Sequence, residues 1–90
     1  MRFPVRRTSQ MKRDVRRLLK RGKNIEKLLI AVEILSEGNE LPSGYRDHPL
    51  TGNFKGKRDC HLEGDWILIY AIEDDELILY RTGSHSDLFE

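Results

Sequence analysis

Apolar residues recur at helical spacing in the first third of the chain. Met11, Val15, Leu18 and Leu19 fall at positions i, i+4, i+7 and i+8, which predicts an amphipathic helix. Thr8 or Ser9 can cap the start of this helix, and Gly22 can end it. A second apolar stripe over residues 25–35 predicts a second helix. The link between the two is short, so we expect an antiparallel helical hairpin.

The second half of the chain shows strand patterns instead. Residues 57–62 alternate between polar and apolar side chains, and residues 66–72 are apolar on both faces, as in a central strand. Residues 77–82 predict the next strand of the same meander, and Phe3–Arg6 predicts a short first strand. Between them, residues 41–56 lose all periodicity and carry several prolines and glycines, which indicates an ordered loop.

These elements predict an α+β fold of order β-α-α-β-β-β. Its two-helix hairpin packs on one face of a four-stranded, mainly antiparallel sheet. We expect one domain spanning residues 1–90, ending in a short tail or a single helical turn. The sheet face without helices should stay open, and a functional site can lie there.

Composition indicates the class of protein and the cellular compartment to expect. With 38% hydrophobic and 34% charged residues, the chain suits a compact soluble domain, and no apolar run approaches the ~20 residues that span a bilayer. The first ten residues hold arginines with no apolar stretch after them, unlike a secretory signal. Cys60 is the single cysteine and cannot form an intramolecular disulfide. We therefore expect a cytoplasmic protein with no membrane contact.

The net charge of +1 conceals a strong asymmetry along the chain. Eleven of the 16 lysines and arginines fall in residues 1–27, where only Asp14 and Glu26 are acidic. A basic segment of this density can hold phosphate backbones by charge alone. It can equally be a solvated helix face, or one that docks on an acidic partner.

All three histidines, His48, His61 and His85, lie where the predicted chain changes direction, and Asp65 and Arg81 lie near two of those points. A histidine can give and take protons near neutral pH, and an arginine can hold a phosphate through two hydrogen bonds. Cleavage of RNA by its own 2′-OH needs such a base, cation and acid, and it needs no metal or other cofactor. The residue set therefore points to a metal-free ribonuclease.

Other interpretations of these residues remain open. His48, His61, His85 and Asp65 are all possible zinc ligands, although no local HxxxH or CxxC pair supports a metal site. Trp66 heads an apolar strand, so a core position suits it better than a role as a platform for a base. An exposed aromatic such as Phe89 could stack on an unstacked base.

Three sequence blocks resemble one known family. DHPL (47–50), RDCHLEGDW (58–66) and RTGSHSDLF (81–89) are similar, in this order and spacing, to blocks of the YafQ-type toxins in the RelE/ParE superfamily. The resemblance implies a RelE-like microbial RNase fold and a ribosome-dependent mRNA endonuclease that cuts in the ribosomal A site. It also implies a cognate antitoxin, of the ribbon-helix-helix type, through which alone the toxin meets operator DNA.

The family's functional positions carry over residue by residue: His48, His61, Asp65, Trp66, Arg81, His85 and Phe89. We expect Arg81 to neutralise the scissile phosphate, and His85 to act as general acid. His48 or Asp65 is the general base, and His61 orients or stabilises charge. Trp66 and Phe89 are assigned to substrate binding. The first helix should contact ribosomal RNA or the antitoxin through Lys12, Arg13, Arg16 and Arg17.

Two other function classes stay open, and the first belongs to a branch of the superfamily that shares this fold. A ParE-like toxin acts by binding gyrase without catalysis, and the histidine and arginine set argues against that class, since a binder needs none of them. A DNA-binding corepressor acts together with its antitoxin, and this role is compatible with nuclease activity.

Overall fold

A computed structural model describes residues 2–89, which form five strands and three α-helices. Among these residues, no helix has the length and apolar character needed to cross a membrane. The strands are β1 (Val5–Arg7), β2 (His48–Pro49), β3 (Arg58–Glu63), β4 (Trp66–Glu73) and β5 (Glu76–Ser84). The helices are α1 (Ser9–Lys20), α2 (Glu26–Ser36) and α3 (His85–Phe89).

The five strands form one mixed sheet in the order β1-β5-β4-β3-β2. β1 runs parallel to β5, and the other neighbouring pairs are antiparallel. The predicted α+β class is confirmed, but the predicted strand count is one too low. The missed strand is β2, whose two residues pair with Asp59 and Arg58 of β3. It is too short for alternation to show, and its second residue is a proline.

The helices form where the apolar stripes predicted them. Thr8 caps α1, since its Oγ1 accepts the backbone N–H of Met11 at 3.0 Å. α1 lies over β5, and α2 lies over β3. The core between helices and sheet comprises buried side chains from both layers: Met11, Leu18, Leu28, Ala31, Leu35, Cys60, Leu62, Trp66, Leu68, Tyr70, Leu77 and Leu79.

The second face of the sheet is partly covered, so the prediction of an open face holds only in part. Ile67 and Ile69 of β4 are fully buried on this side under Leu88 of α3. Leu50 and Phe54, from the loop between β2 and β3, pack beside them. The covered area anchors α3 and that loop against the sheet, and both elements border the histidines.

α1 protects the edge of β5 beyond the end of β1. β1 pairs only as far as Leu79, so the rest of β5 lacks a strand on that side. There the hydroxyl of Thr8 donates to the carbonyl of Tyr80 at 2.8 Å, and a carboxylate oxygen of Asp14 accepts the backbone N–H of Thr82 at 3.2 Å. Side chains of the N-cap and the middle of α1 therefore satisfy part of the open strand edge.

Candidate active site

Three histidines that lie far apart in the sequence form a row across the sheet. The ring centroids of His48 and His61 are 6.4 Å apart, and those of His61 and His85 are 6.0 Å apart. Register explains the row, because His48 pairs with Asp59 beside His61 on β3, while His85 directly follows the end of β5. The sheet therefore brings three groups that can carry protons within reach of one extended ligand.

His85 is held through one ring nitrogen. Its Nδ1 lies 2.8 Å from Oδ1 of Asp65, and its backbone N–H donates to the same oxygen at 3.3 Å. The side-chain hydrogen bond to His85 is the main reason why the pKa of Asp65 is lowered. An ionised carboxylate only accepts, so Nδ1 is the donor, and Nε2 stays available to a substrate.

His48 is held in the same way at the other end of the row. Its Nδ1 donates to the backbone carbonyl of Arg46 at 2.8 Å, which leaves Nε2 as the proton-accepting nitrogen of the neutral ring. Asp59 also lies close to this ring, since its Oδ1 is 3.2 Å from Nδ1 of His48. Asp59 is only 3% exposed, and that oxygen has no hydrogen bond among residues 2–89. Burial raises the pKa of Asp59, although the nearby histidines oppose this.

Asp47 ties the segment that leads into β2 to the neighbouring strands β3 and β4. Its carboxylate accepts the Nε–H of Arg58 at 2.8 Å and the hydroxyl of Tyr70.

At the other end of the histidine row, Ser84 and Asp87 exchange hydrogen bonds between side chain and backbone, each 3.1 Å long, as in a capping box. α3 can therefore begin at His85 itself. At Gly83, a Cβ would meet that of Asp87 at 3.0 Å, so glycine allows this close approach.

Arg81 is engaged by a buried acid that the sequence reasoning missed. Its Nε donates to Oδ2 of Asp14 at 2.9 Å, and its Nη2 donates to Oδ1 at 3.1 Å. The Arg81 side chain stays 24% exposed, whereas that of Asp14 is fully buried. A signal was present, because Asp14 lies on the buried stripe of α1 between Met11 and Leu18, where an acid needs a partner.

The two aromatic residues of the predicted site differ sharply in exposure. Phe89 is 42% exposed, with its ring 5.6 Å from that of His85 and in edge contact with Phe54. Trp66 is only 5% exposed, and its Nε1–H donates to the hydroxyl of Thr82 at 2.9 Å. The structure therefore places Trp66 in the core next to β5, where it supports the strand that carries Arg81, and leaves Phe89 able to meet a base.

The predicted basic face of α1 contains three exposed cations and one that is half-buried. Lys12, Arg13 and Arg16 are exposed, and none of them forms an ion pair with another residue in the range 2–89. Arg17 instead contacts Asp14 at 3.3 Å and Asp87 at 3.7 Å. Three of the four predicted RNA contacts are therefore available to a phosphate, while Arg17 contributes to the packing of α1 against α3.

The described part of the chain contains no group of three or more His, Cys, Asp or Glu side chains arranged to hold a metal ion. Asp65 and the Nδ1 atoms of His48 and His85 are already engaged in hydrogen bonds. The histidine row is also an open surface rather than a closed cavity, since His48, His85 and Phe89 are all exposed. Such a surface suits a polynucleotide better than a small molecule.

Comparison with known proteins gives a consistent result. A family model described as the bacterial toxin of type II toxin–antitoxin systems, YafQ, matches residues 3–90. The mRNA interferase toxin YafQ of Escherichia coli K12 is 45% identical over 83 residues, covering 91% of this chain and 90% of that protein. The crystal structure of the E. coli DinJ–YafQ toxin–antitoxin complex has a TM-score of 0.91 at 41% identity, with 100% of both chains covered. A metal-bound toxin from Helicobacter pylori has a TM-score of 0.89 at 36% identity, with 97% of this chain and 99% of that chain covered.

Proposed function

The chain belongs to the YafQ family of toxins from bacterial type II toxin–antitoxin systems, and from this we propose that it cuts ribosome-bound mRNA in the A site without a metal. Membership confirms the resemblance noted in the three sequence blocks. It also makes the chain an mRNA interferase, that is, an endoribonuclease. Ribosome dependence and the chemical mechanism go beyond membership: the first is supported by the exposed cations of α1, and the second by the geometry of the histidine row.

The observation that carries the mechanism is that both outer histidines are held at Nδ1 and present Nε2. In the proposed reaction, Nε2 of His48 takes the proton from the 2′-OH, and the 2′ oxygen attacks the adjacent phosphorus. Asp65 is less suited to be the base, because its Oδ1 already accepts two hydrogen bonds from His85. The structure thus favours His48 between the two bases that the sequence left open.

His85 acts at the leaving group. Its imidazolium gives the Nε2 proton to the departing 5′ oxygen as the bond between phosphorus and that oxygen breaks. The products are a 2′,3′-cyclic phosphate and a free 5′-OH, so atoms and protons balance without water. Asp65 stabilises the charged ring through its 2.8 Å contact with Nδ1.

The remaining site residues bind and orient the RNA. Arg81 offsets the charge that builds on the phosphate, and His61, between the two outer rings, stabilises the same charge or orients the substrate. Phe89, whose ring lies beside that of His85, stacks on a base, and its edge contact with Phe54 holds the Phe89 ring in place. Trp66 supports this arrangement from the core.

The proposed partners are a cognate antitoxin, operator DNA bound through that antitoxin, and ribosomal RNA. The related E. coli toxin was solved together with DinJ, which supports a cognate antitoxin as partner of this chain. We assign that antitoxin to the ribbon-helix-helix type and expect operator DNA to be bound through it. The exposed cations of α1 contact ribosomal RNA.

The direct test uses purified toxin and programmed ribosomes. The wild type should cut mRNA in a chelator selective for transition metals, at a magnesium concentration that keeps ribosomes intact. The product should carry a 2′,3′-cyclic phosphate or a 3′-phosphate, and a 2′-deoxy substitution at the cut site should block cleavage. Because a metal-bound relative is known from H. pylori, one arm adds zinc or copper. Activity that disappears with chelator and returns with stoichiometric metal would refute the metal-free mechanism.

Two variants test the assigned residues. His85→Ala should reduce cleavage by ~10²–10⁴, and Arg81→Ala by ~10²–10³. His85 is exposed, so His85→Ala should fold and bind its antitoxin. Arg81→Ala removes the main partner of the buried Asp14, so a lower melting temperature is expected for this variant and its fold is checked beside its activity. His48→Ala and His61→Ala should show smaller defects, since a neighbouring ring can partly substitute. Near wild-type cutting by His85→Ala and Arg81→Ala, with unchanged melting, would place the site elsewhere.

A further inference from the structure

We propose that Asp14 is a positioning residue for Arg81: it fixes the guanidinium in the orientation that meets the scissile phosphate. This inference rests on the proposed role of Arg81. Asp14 lies on α1, 67 residues from Arg81 in sequence, and its side chain is fully buried. No part of the proposed reaction uses it directly.

The carboxylate of Asp14 is saturated with donors. Oδ2 accepts the Nε–H of Arg81 at 2.9 Å and the backbone N–H of Thr82 at 3.2 Å. Oδ1 accepts from Nη2 of Arg81 at 3.1 Å, from Gln10 at 3.0 Å and from Arg17 at 3.3 Å. These bonds come from α1 and from two consecutive residues of β5, so the carboxylate cannot turn without breaking several of them.

The geometry of a guanidinium explains what the contact does for Arg81. A side-on pair through Nε and Nη2 occupies two of its five N–H donors and fixes the plane of the group. The other three donors, on Nη1 and Nη2, are not used by the carboxylate of Asp14, and the Arg81 side chain stays 24% exposed. Arg81 can therefore hold a phosphate through donors whose direction is set before the RNA arrives.

The electrostatics keep Asp14 ionised at physiological pH. Burial tends to raise the pKa of Asp14, but hydrogen bonds from Arg81, Gln10 and Thr82 together lower it below the usual value. Asp14 is thus a buried anion that pairs with the guanidinium of Arg81, and it lies on the same buried face of α1 as Met11 and Leu18. If it served only to fill the core, an apolar residue would suit this position better than a buried charge.

A first experiment tests positioning without using activity. In wild-type protein, the Nε–H of Arg81 should give a sharp NMR signal that exchanges slowly with water. In Asp14→Asn, one of the two carboxylate oxygens becomes an NH2 group that cannot accept, so the two-point contact with Arg81 is lost and exchange should become at least about tenfold faster. Gln10→Ala is the matched control, since it removes a different donor to Asp14 and should leave the signal of Arg81 intact. An unchanged Arg81 signal in Asp14→Asn would overturn the proposal.

A second experiment measures cleavage on programmed ribosomes beside a thermal melt of each variant. Asp14→Asn should lower kcat by about 10- to 100-fold with little change in KM, as expected for a misplaced catalytic group. In an Arg81→Ala background, measured at single turnover, Asp14→Asn should cause no further loss. An equal loss in both backgrounds would show that Asp14 acts only through the fold, and would overturn the proposal.

A third variant covers the case in which Asp14→Asn does not fold. Arg81→Lys keeps the charge beside Asp14 but removes the planar fork, and it should lose cleavage to a similar degree. Wild-type rates in Arg81→Lys would show that fixed orientation is unimportant. If wild-type toxin does not cut RNA at all, the proposed function fails, while the NMR experiment still decides whether Asp14 orients Arg81.

Discussion

The salt dependence of ribosome binding depends, in the proposed function, on the exposed cations of α1. Lys12, Arg13 and Arg16 are free of ion pairs with residues 2–89 and can each neutralise a phosphate. Arg17 differs, because it contacts Asp14 and Asp87. Replacing Lys12, Arg13 and Arg16 with glutamine therefore removes three available charges and leaves the buried network around Asp14 intact.

The size of the effect follows from counterion release. Each phosphate neutralised contributes about 0.7–0.9 to the slope of log affinity against log salt. Loss of three contacts should therefore flatten the slope by about 2–3. Between about 50 and 200 mM monovalent salt, wild-type toxin should lose about 20- to 40-fold more affinity than the triple variant.

The assay is binding to programmed ribosomes at fixed magnesium and varied potassium chloride. The matched control removes the same formal charge by replacing Arg2, Arg6 and Lys27 with glutamine, because these cations already pair with Glu33, Glu76 and Glu63. The control should keep a slope near that of the wild type. Equal slopes for the wild type and the α1 variant would show that this face does not bind RNA.

Three further predictions concern stability and reactivity. Thr82→Val should lower the free energy of unfolding by about 1–3 kcal/mol, since it leaves the indole N–H of Trp66 buried without an acceptor. The melting temperature should fall by about 4–8 °C per kcal/mol, and the loss in the double variant Thr82→Val, Trp66→Phe should be less than the sum of the two single losses. Burial raises the pKa of Cys60 to about 12, so its thiol should resist alkylation in folded protein at pH about 8 and react fully in urea; rapid labelling of native protein would contradict this. Burial also raises the pKa of Asp59, so its ionised form costs stability at neutral pH, and the cost declines as the pH falls through the folded-state pKa. Asp59→Asn should therefore melt above the wild type at pH about 7.5, by a margin that shrinks towards pH about 4, and a margin that widens on acidification would refute this sign.

Local patterns in the sequence were enough to predict the helices and the three long strands. α1 and α2 each bury one apolar stripe, and residues 66–72 are apolar on both faces because β4 lies at the centre of the sheet. The types of the candidate site residues were also readable, since histidines stand out at the predicted ends of elements. These features are set by residues close together in the chain.

Long-range pairings were not predictable in the same way. β1 joins β5 as a parallel neighbour, a contact that no local pattern specifies. The pair of Asp14 and Arg81 joins the first helix to the last strand, and the acid was counted only as one of two negative charges in a basic segment. The support of His48 by Arg46 and Asp59 likewise depends on how the loop folds onto β3.

The parallel pairing of β1 with β5 has a consequence for the synthesis of the protein. Val5 pairs with Leu77, and His85 and Phe89 follow only after β5, so the sheet and the histidine row need almost the entire chain. Contacts of such long sequence separation form late and slow folding. A chain that ends before β5, whether truncated or still being translated, lacks Arg81 and His85 altogether. Under the proposed function, the toxin therefore cannot cut mRNA on the ribosome that is making it until its last strand has been added and released.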